Sequence, residues 1–172
     1  MKSELNVWPE EIVKPKSFYQ GEIKAPEKPI GIIISLFNLS IGARLLDGAR
    51  DVLDSHDASY EIAYVPGALE LPLAAQKMAQ THRFAAIICL GAVIRGDTPH
   101  FDYVCSESAH GLTQVSLLES LPVIFGVLTT DTVDQALERS EKGEDNKGAY
   151  AAQAALETSH LSFISPMTAL ND

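Results

Sequence analysis

The chain has 172 residues, and 13 Lys and Arg against 23 Asp and Glu give it a formal net charge of −10. This length suits one globular domain, and 46% hydrophobic with 21% charged residues exclude a wholly disordered chain. The acidic excess argues against a protein that binds nucleic acid or a membrane surface, because such polyanions need a basic face. Residues 1–30 contain five Lys and five Glu, so the whole excess lies in residues 31–172.

The start of the chain and the cysteines bear on the compartment. Residues 1–11 lack the apolar segment of a secretory signal and are too acidic for a transit peptide. No apolar run approaches the roughly 20 residues that a membrane helix needs. Cys89 and Cys105 belong to no CxxC pair, and we interpret them as free thiols rather than as a disulfide or a metal site. We therefore expect a soluble, cytoplasmic protein with no membrane partner.

Residues 1–29 are predicted to form an extended arm. They contain four of the nine prolines and show no sustained periodicity. The arm also has more apolar side chains than a mere tail requires: Val7, Trp8, Ile12, Val13, Phe18 and Tyr19. These apolar side chains favour an arm that packs against a protein surface, such as that of a neighbouring subunit. The alternative is a disordered leader. The folded domain is placed at residues 30–172.

From residue 30 onward, apolar runs alternate with amphipathic segments. Strands are predicted at 30–36, 60–65, 85–90 and 122–128, and helices at 40–55, 69–81, 101–119, 132–140 and 147–159. This alternation predicts a three-layer α/β/α sandwich with a four-stranded, mainly parallel sheet. Open α/β sheets bind ligands outside the carboxyl ends of their strands. The search for a site therefore narrows to the four segments that follow the strands.

Residues 91–104, after the third predicted strand, are the richest of these segments. Gly91 and Gly96 allow the backbone to approach a ligand. Asp97 and Thr98 lead into a helix whose first amides can hold a phosphate, although Asp97 would oppose an anion unless its side chain caps the helix. His100 follows at the mouth of the sheet, where an imidazole can transfer protons at neutral pH. We interpret His100 as a catalytic candidate.

The first two strand ends carry further candidates. Phe37 and Asn38 offer a flat apolar surface beside an amide, which suits a planar heterocycle, although an isolated Phe is often part of a core. Glu70 could accept hydrogen bonds from hydroxyl groups. Alternatively, it is a carboxylate that stabilises a helix N-terminus.

Positive charge is expected where an anionic substrate binds. The eight basic residues of the domain include four near the later strand ends: Arg95, Arg139, Lys142 and Lys147. Arg139 could bind a phosphate with two parallel hydrogen bonds. The alternative is a solvated, charge-rich helix junction.

Taken together, the motifs resemble the 6,7-dimethyl-8-ribityllumazine synthase family. They cover nearly all of residues 30–158, in order: Phe37-Asn38, 66–72, 91–104, 122–130, 135–139 and Asn146-Lys147-Gly148. The resemblance implies a flavodoxin-like fold and a transferase of riboflavin biosynthesis. It implies the condensation of 5-amino-6-(D-ribitylamino)uracil with 3,4-dihydroxy-2-butanone 4-phosphate, releasing phosphate and water. It implies no metal or organic cofactor.

The resemblance also implies a role for each matching residue. His100 would transfer protons, and Asp97, Thr98 and Arg139 would bind the phosphate. The pyrimidine and ribityl chain would contact a larger set: Phe37, Asn38, Ala68, Leu69, Glu70, Ala92, Val93, Ile94, Phe125 and Lys147. Phe125 would come from the adjacent subunit, so the active site would span two subunits of a homo-oligomeric pentamer.

Three departures from the family pattern keep other functions open. Leu36 replaces a frequent Arg, Leu69 replaces a frequent aromatic residue, and residues 140–145 are acidic where Ala and Gly are usual. The first two motivate an alternative, a flavin- or lumazine-binding protein with little turnover. The third lies at a junction that, in this family, affects whether pentamers remain free or close into an icosahedral shell, and a shell's main role could be compartmentation.

Overall fold

The computed structural model describes residues 19–143 and 145–162. Residues 1–18, which include most of the predicted arm, lie outside the described residues, as do 163–172.

The core of the protein is one parallel β-sheet. Its strands are β1 (Ile30–Ser35), β2 (Tyr60–Val65), β3 (Ala86–Ile94) and β4 (Val123–Thr130). Their order across the sheet is β2-β1-β3-β4 and every pairing is parallel. The two central strands, β1 and β3, are almost continuously buried, which explains why they are apolar without alternation.

Helices cover both faces of the sheet. They are α1 (Leu39–Ser55), α2 (Leu71–Ala79), α3 (His100–Glu119), α4 (Val133–Arg139) and α5 (Lys147–Ser159). One apolar cluster joins β1 and β3 to α1, α4 and α5, and a second joins the opposite face to α2 and α3. The predicted three-layer α/β/α sandwich is therefore confirmed. Within the described residues, no helix is both long and apolar enough to cross a membrane.

The predicted boundaries are wrong at the carboxyl ends of three strands, the first of which is predicted to end at residue 36 whereas β1 ends at Ser35. The third strand was expected to end at residue 90, but β3 continues to Ile94, and β4 continues to Thr130. The register pairs the two extensions, Gly91 with Val127 and Ile94 with Thr130. Gly91 is predicted to lie in a loop, and it instead lies within the strand, paired with Val127. The residue is a glycine because a Cβ at that position would collide with Ser35 on β1.

The end of the predicted arm packs on its own domain. Residues 19–29 contain no helix or strand. Gln20 donates a hydrogen bond to Glu157 on α5, and Lys28 donates one to the carbonyl of His82. Ala25 packs against the apolar cluster on the α1/α5 face. This segment therefore follows the surface of the same chain until it enters β1.

Candidate active site

A cavity of about 370 Å³ lies at the carboxyl edge of the sheet. The ends of β1 and β3 form its floor, the turn after β2 forms one wall, and the first turn of α3 forms another. This is the edge at which parallel sheets bind ligands. The cavity is lined by Ser35, Phe37, Gly67, Ala68, Leu69, Glu70, Ala92, Val93, Ile94, Gly96, Thr98, His100, Phe101 and Val104.

Nine of the residues predicted for the site meet in this cavity. They come from three separate parts of the chain: Phe37, Ala68, Leu69, Glu70, Ala92, Val93, Ile94, Thr98 and His100. Parallel strands end at one edge of a sheet, so segments distant in sequence converge there. The position of each strand end therefore accounts for the convergence.

The turn after β1 exposes one aromatic ring and uses the next residue as a tie. The Phe37 side chain lines the cavity and is 72% exposed, so its ring is available for stacking. Asn38 adopts a left-handed conformation, with φ of 58°, and begins α1. Its Nδ2 donates a hydrogen bond of 2.9 Å to the carbonyl of Ala92, which fixes the turn to β3. Asn38 does not itself line the cavity.

The turn after β2 supplies the carboxylate. Ala68–Glu70 forms a single 3-10 turn that continues into α2, whose second residue is Pro72. The Glu70 side chain lines the cavity, and no group among the described residues donates a hydrogen bond to it. The carboxylate can therefore accept hydrogen bonds from a bound molecule.

His100 is the first residue of α3 and faces the cavity from its rim. In the described part of the chain, no side chain or backbone group forms a hydrogen bond with its ring. Its imidazole is exposed and can exchange protons with a ligand or with water. Thr98 lies just before it on the same rim.

Arg95 braces the helix that carries His100. The Arg95 guanidinium stacks 4.1 Å from the ring of Phe101. Its Nε donates to Asp131 at 2.7 Å and its Nη1 donates to Asp102 at 3.2 Å. The hydrogen bond with Asp131 is the main reason that the pKa of Arg95 is raised. Arg95 was expected to supply free positive charge, and it is instead paired with two carboxylates.

The remaining predicted residues do not line the cavity. Asp97 is exposed and makes no side-chain cap on α3. Phe125 is paired in register with Cys89, so its side chain lies on the α2/α3 face, where it is 40% exposed. Arg139 ends α4 and Lys147 begins α5, and these two helices pack on the opposite face.

The local partners of the two cations are ordinary surface contacts. Arg139 donates to the carbonyl of Gln135 at 3.1 Å and contacts Glu138. The Lys147 ammonium lies 4.2 Å from the ring of Tyr150. Lys142 lines a second groove of about 390 Å³, which none of the predicted site residues lines. The four expected cations are therefore not gathered at one point of the chain.

Sequence reasoning missed several residues of the cavity. Ser35, Gly67, Phe101 and Val104 line it. Ser35 was assigned only to the apolar first strand, and the polar residue at the end of that run was the available signal. Phe101 and Val104 follow His100 at the spacing of one helix face, which places them beside it.

The thiols are unsuited to act as nucleophiles at this site. Both cysteines are free, and burial raises the pKa of Cys89 and of Cys105, the latter also through the charge of Asp102. Among the described residues, no group of three His, Cys, Asp or Glu side chains could hold a metal ion. The titratable groups that line the cavity are Glu70 and His100.

The parallel sheet with a cavity at its carboxyl edge defines an α/β protein whose candidate site has the size of a small-molecule site. The family model of 6,7-dimethyl-8-ribityllumazine synthase matches residues 27–162. The chain belongs to this family, so it is a transferase of riboflavin biosynthesis. The resemblance inferred from the motifs is thereby confirmed.

Proposed function

We propose that the protein condenses 5-amino-6-(D-ribitylamino)uracil with 3,4-dihydroxy-2-butanone 4-phosphate to form 6,7-dimethyl-8-ribityllumazine, releasing phosphate and water. The observation that carries this proposal is the convergence of nine residues of the family motifs on one cavity. An exposed aromatic ring, a free carboxylate and an unengaged imidazole suit a planar heterocycle, a polyol chain and a proton transfer, respectively.

In this proposal the shape and the polarity of the cavity bind the ribitylaminouracil. Phe37 stacks on the pyrimidine ring, and Glu70 accepts hydrogen bonds from ribityl hydroxyls. Ala92, Val93 and Ile94 form an apolar wall along β3. Holding two substrates side by side supplies much of the rate acceleration, because binding has already removed the translational and rotational entropy that their reaction would otherwise lose.

His100 transfers protons at the rim. The 5-amino group attacks the ketone of the butanone phosphate, and the C=N bond forms as water leaves. A proton is then lost from the adjacent carbon, and the C–O bond to phosphate breaks, which leaves an enol. The enol becomes a ketone by proton transfer, the ribitylamino nitrogen attacks that ketone, and loss of a second water closes the ring. An imidazole can accept the first proton and donate one to a leaving group at neutral pH. Thr98 and Asp97 contribute backbone amides on the phosphate side.

We further propose that a second copy of the chain completes the site. Phe125, Arg139 and Lys147 match the family motifs but lie away from the cavity of their own chain. Phe37 is largely exposed on the cavity wall, so its ring is open to a further subunit. A ring of identical subunits would bring these residues of one copy to the cavity of the next.

The deciding experiment is product formation. Both substrates are supplied to the purified protein in the presence of a chelator, and lumazine is followed by its absorbance and fluorescence. His100→Ala should lower kcat by about a hundredfold or more, because a general acid–base group is lost while proximity remains. His110→Ala is the matched control, since His110 is exposed on the same helix outside the cavity. Equal activity of both variants would contradict the role of His100.

Two alternatives are separated by further measurements. Titration with riboflavin that gives tight binding, together with no product, favours a flavin-binding protein; the motive is Leu69, an aliphatic residue on the cavity wall. Light scattering distinguishes a free pentamer from a closed shell, because particles of pentamer size exclude a shell.

A further inference from the structure

Ser35 is the last residue of β1, at the inner end of the cavity. It is only 1% exposed, whereas Phe37, two residues further along, is 72% exposed. Strand residues two apart share a face, so Ser35 points to the side of Ile33, towards α2 and α3. The serine hydroxyl is therefore the deepest side-chain polar group on the cavity wall.

The Ser35 hydroxyl has no hydrogen-bond partner among residues 19–143 and 145–162. Its Oγ is nevertheless not sealed from solvent. Since the residue is almost fully buried and lines the cavity, the accessible part of the oxygen opens onto that cavity. A buried hydroxyl without a partner is destabilising, and nearly all such groups in folded proteins are paired.

The neighbouring strand is adapted to this hydroxyl. A Cβ atom at Gly91 would collide with Ser35 Oγ. Glycine in the interior of a strand weakens the sheet and has no side chain to pack, so its presence indicates a close approach. Gly91 thus gives the hydroxyl its position above β3, beside the residues that form the apolar wall.

We propose that Ser35 is a substrate-binding residue whose hydroxyl forms a hydrogen bond with an uncharged polar group of the ribitylaminouracil. This inference rests on the proposed function. Val93 lies two residues beyond Gly91, on the same face of β3 as the hydroxyl, and such an apolar wall suits a neutral carbonyl, amide or hydroxyl better than a phosphate dianion, which would be costly to bury there. The phosphate-side residues, Thr98 and His100, are exposed at the rim instead.

The test separates affinity from stability with Ser35→Ala, which removes only the oxygen. Ser108→Ala is the matched control: Ser108 is also buried, but its hydroxyl donates to the carbonyl of Cys105 and does not line the cavity. Direct titration with ribitylaminouracil alone should show about tenfold weaker binding for Ser35→Ala, the size of one neutral hydrogen bond. KM for the butanone phosphate should stay within about twofold.

Thermal unfolding of the free proteins gives the second readout. Ser35→Ala should melt at the same temperature as the unaltered protein or higher, because an unpartnered hydroxyl is removed, whereas Ser108→Ala should melt lower. Unchanged affinity of Ser35→Ala for ribitylaminouracil overturns the inference. A lower melting temperature with unchanged affinity would assign Ser35 a structural role instead. Binding is measured without turnover, so absence of product would reject the proposed reaction while the Ser35 result stands.

Discussion

Each face of the sheet buries a polar side chain to the same extent, but the two side chains differ in their hydrogen bonding. On the α1/α5 face, Asn146 is 1% exposed. Its Nδ2 donates to the carbonyls of Arg44, Ser140 and Glu141, and its Oδ1 accepts from the amides of Gly148 and Ala149. On the cavity face, the equally buried hydroxyl of Ser35 has no such partner among the described residues. Burial alone therefore does not distinguish a structural group from a binding group, whereas hydrogen bonding does.

The glycines on the two faces also differ in what they make room for. A Cβ at Gly48 would collide with the Asn146 side chain, and one at Gly148 would collide with the carbonyl of Leu45. These two positions let α1 and α5 approach each other around a satisfied amide. Gly91 instead makes room for a hydroxyl that faces an open cavity. The α1/α5 face is built for tight packing, and the cavity face keeps a space for a ligand.

The largest expected effect tests whether a residue on the α1/α5 face of one subunit takes part in the reaction at the cavity of a neighbouring subunit. Arg139 ends α4 on that face, while His100 lies on the cavity rim of the same chain. If each site takes His100 from one subunit and Arg139 from the next, co-refolding His100→Ala with Arg139→Ala in equal amounts should restore about a quarter of the original activity. Each variant alone should lose most of its activity.

The control for this experiment mixes the two folded variants without unfolding, so that subunits are not exchanged. No recovery after co-refolding would mean that His100 and Arg139 act within one chain, and full activity of Arg139→Ala alone would mean that Arg139 does not act. Arg139→Ala alone should raise KM for the butanone phosphate far more than KM for ribitylaminouracil, and equal effects would contradict its phosphate role.

A large effect on stability is expected at Asn146. Asn146→Ala should lower the free energy of unfolding by about 3 kcal/mol, because it leaves three carbonyls and two amides without their partner. Urea unfolding followed by circular dichroism measures this change. The control is Gln114→Ala on the exposed side of α3, where a change within about 0.5 kcal/mol is expected. Equal losses in both variants would remove the structural contrast between the two faces.

Much of the fold could be predicted from the sequence, because the strands are recognisable by continuous apolar runs and the helices by their spacing. β2 and α5 were predicted at their observed limits, residues 60–65 and 147–159. The largest error lies where β3 continues through glycine: Gly91 has the local signature of a loop, and its close contact with Ser35 accounts for a glycine within the strand.

The candidate site was predictable in part for the same reason. Residues at the carboxyl ends of strands converge regardless of strand order, so Phe37, Glu70 and His100 could be grouped without a structure. The pairing of Arg95 with Asp102 and Asp131 could not, because Asp131 is brought near only by the β3–β4 register. A polar residue at the end of an apolar run marks Ser35 in the sequence, but its significance lies in a missing hydrogen bond, which only the structure shows.

A smaller effect tests whether Gly91 and Ser35 form one unit. Gly91→Ala should cost about 1–3 kcal/mol of stability, because the added Cβ displaces the Ser35 hydroxyl. In the Ser35→Ala background the same change should cost less by about 1 kcal/mol, since the colliding oxygen is gone and the remaining contact is with the Cβ of residue 35 at 3.3 Å. Denaturant unfolding of the four proteins in this cycle gives the coupling energy. A coupling of zero would mean that Gly91 serves the sheet alone, and the close approach of β3 to the hydroxyl would then have no part in shaping the cavity.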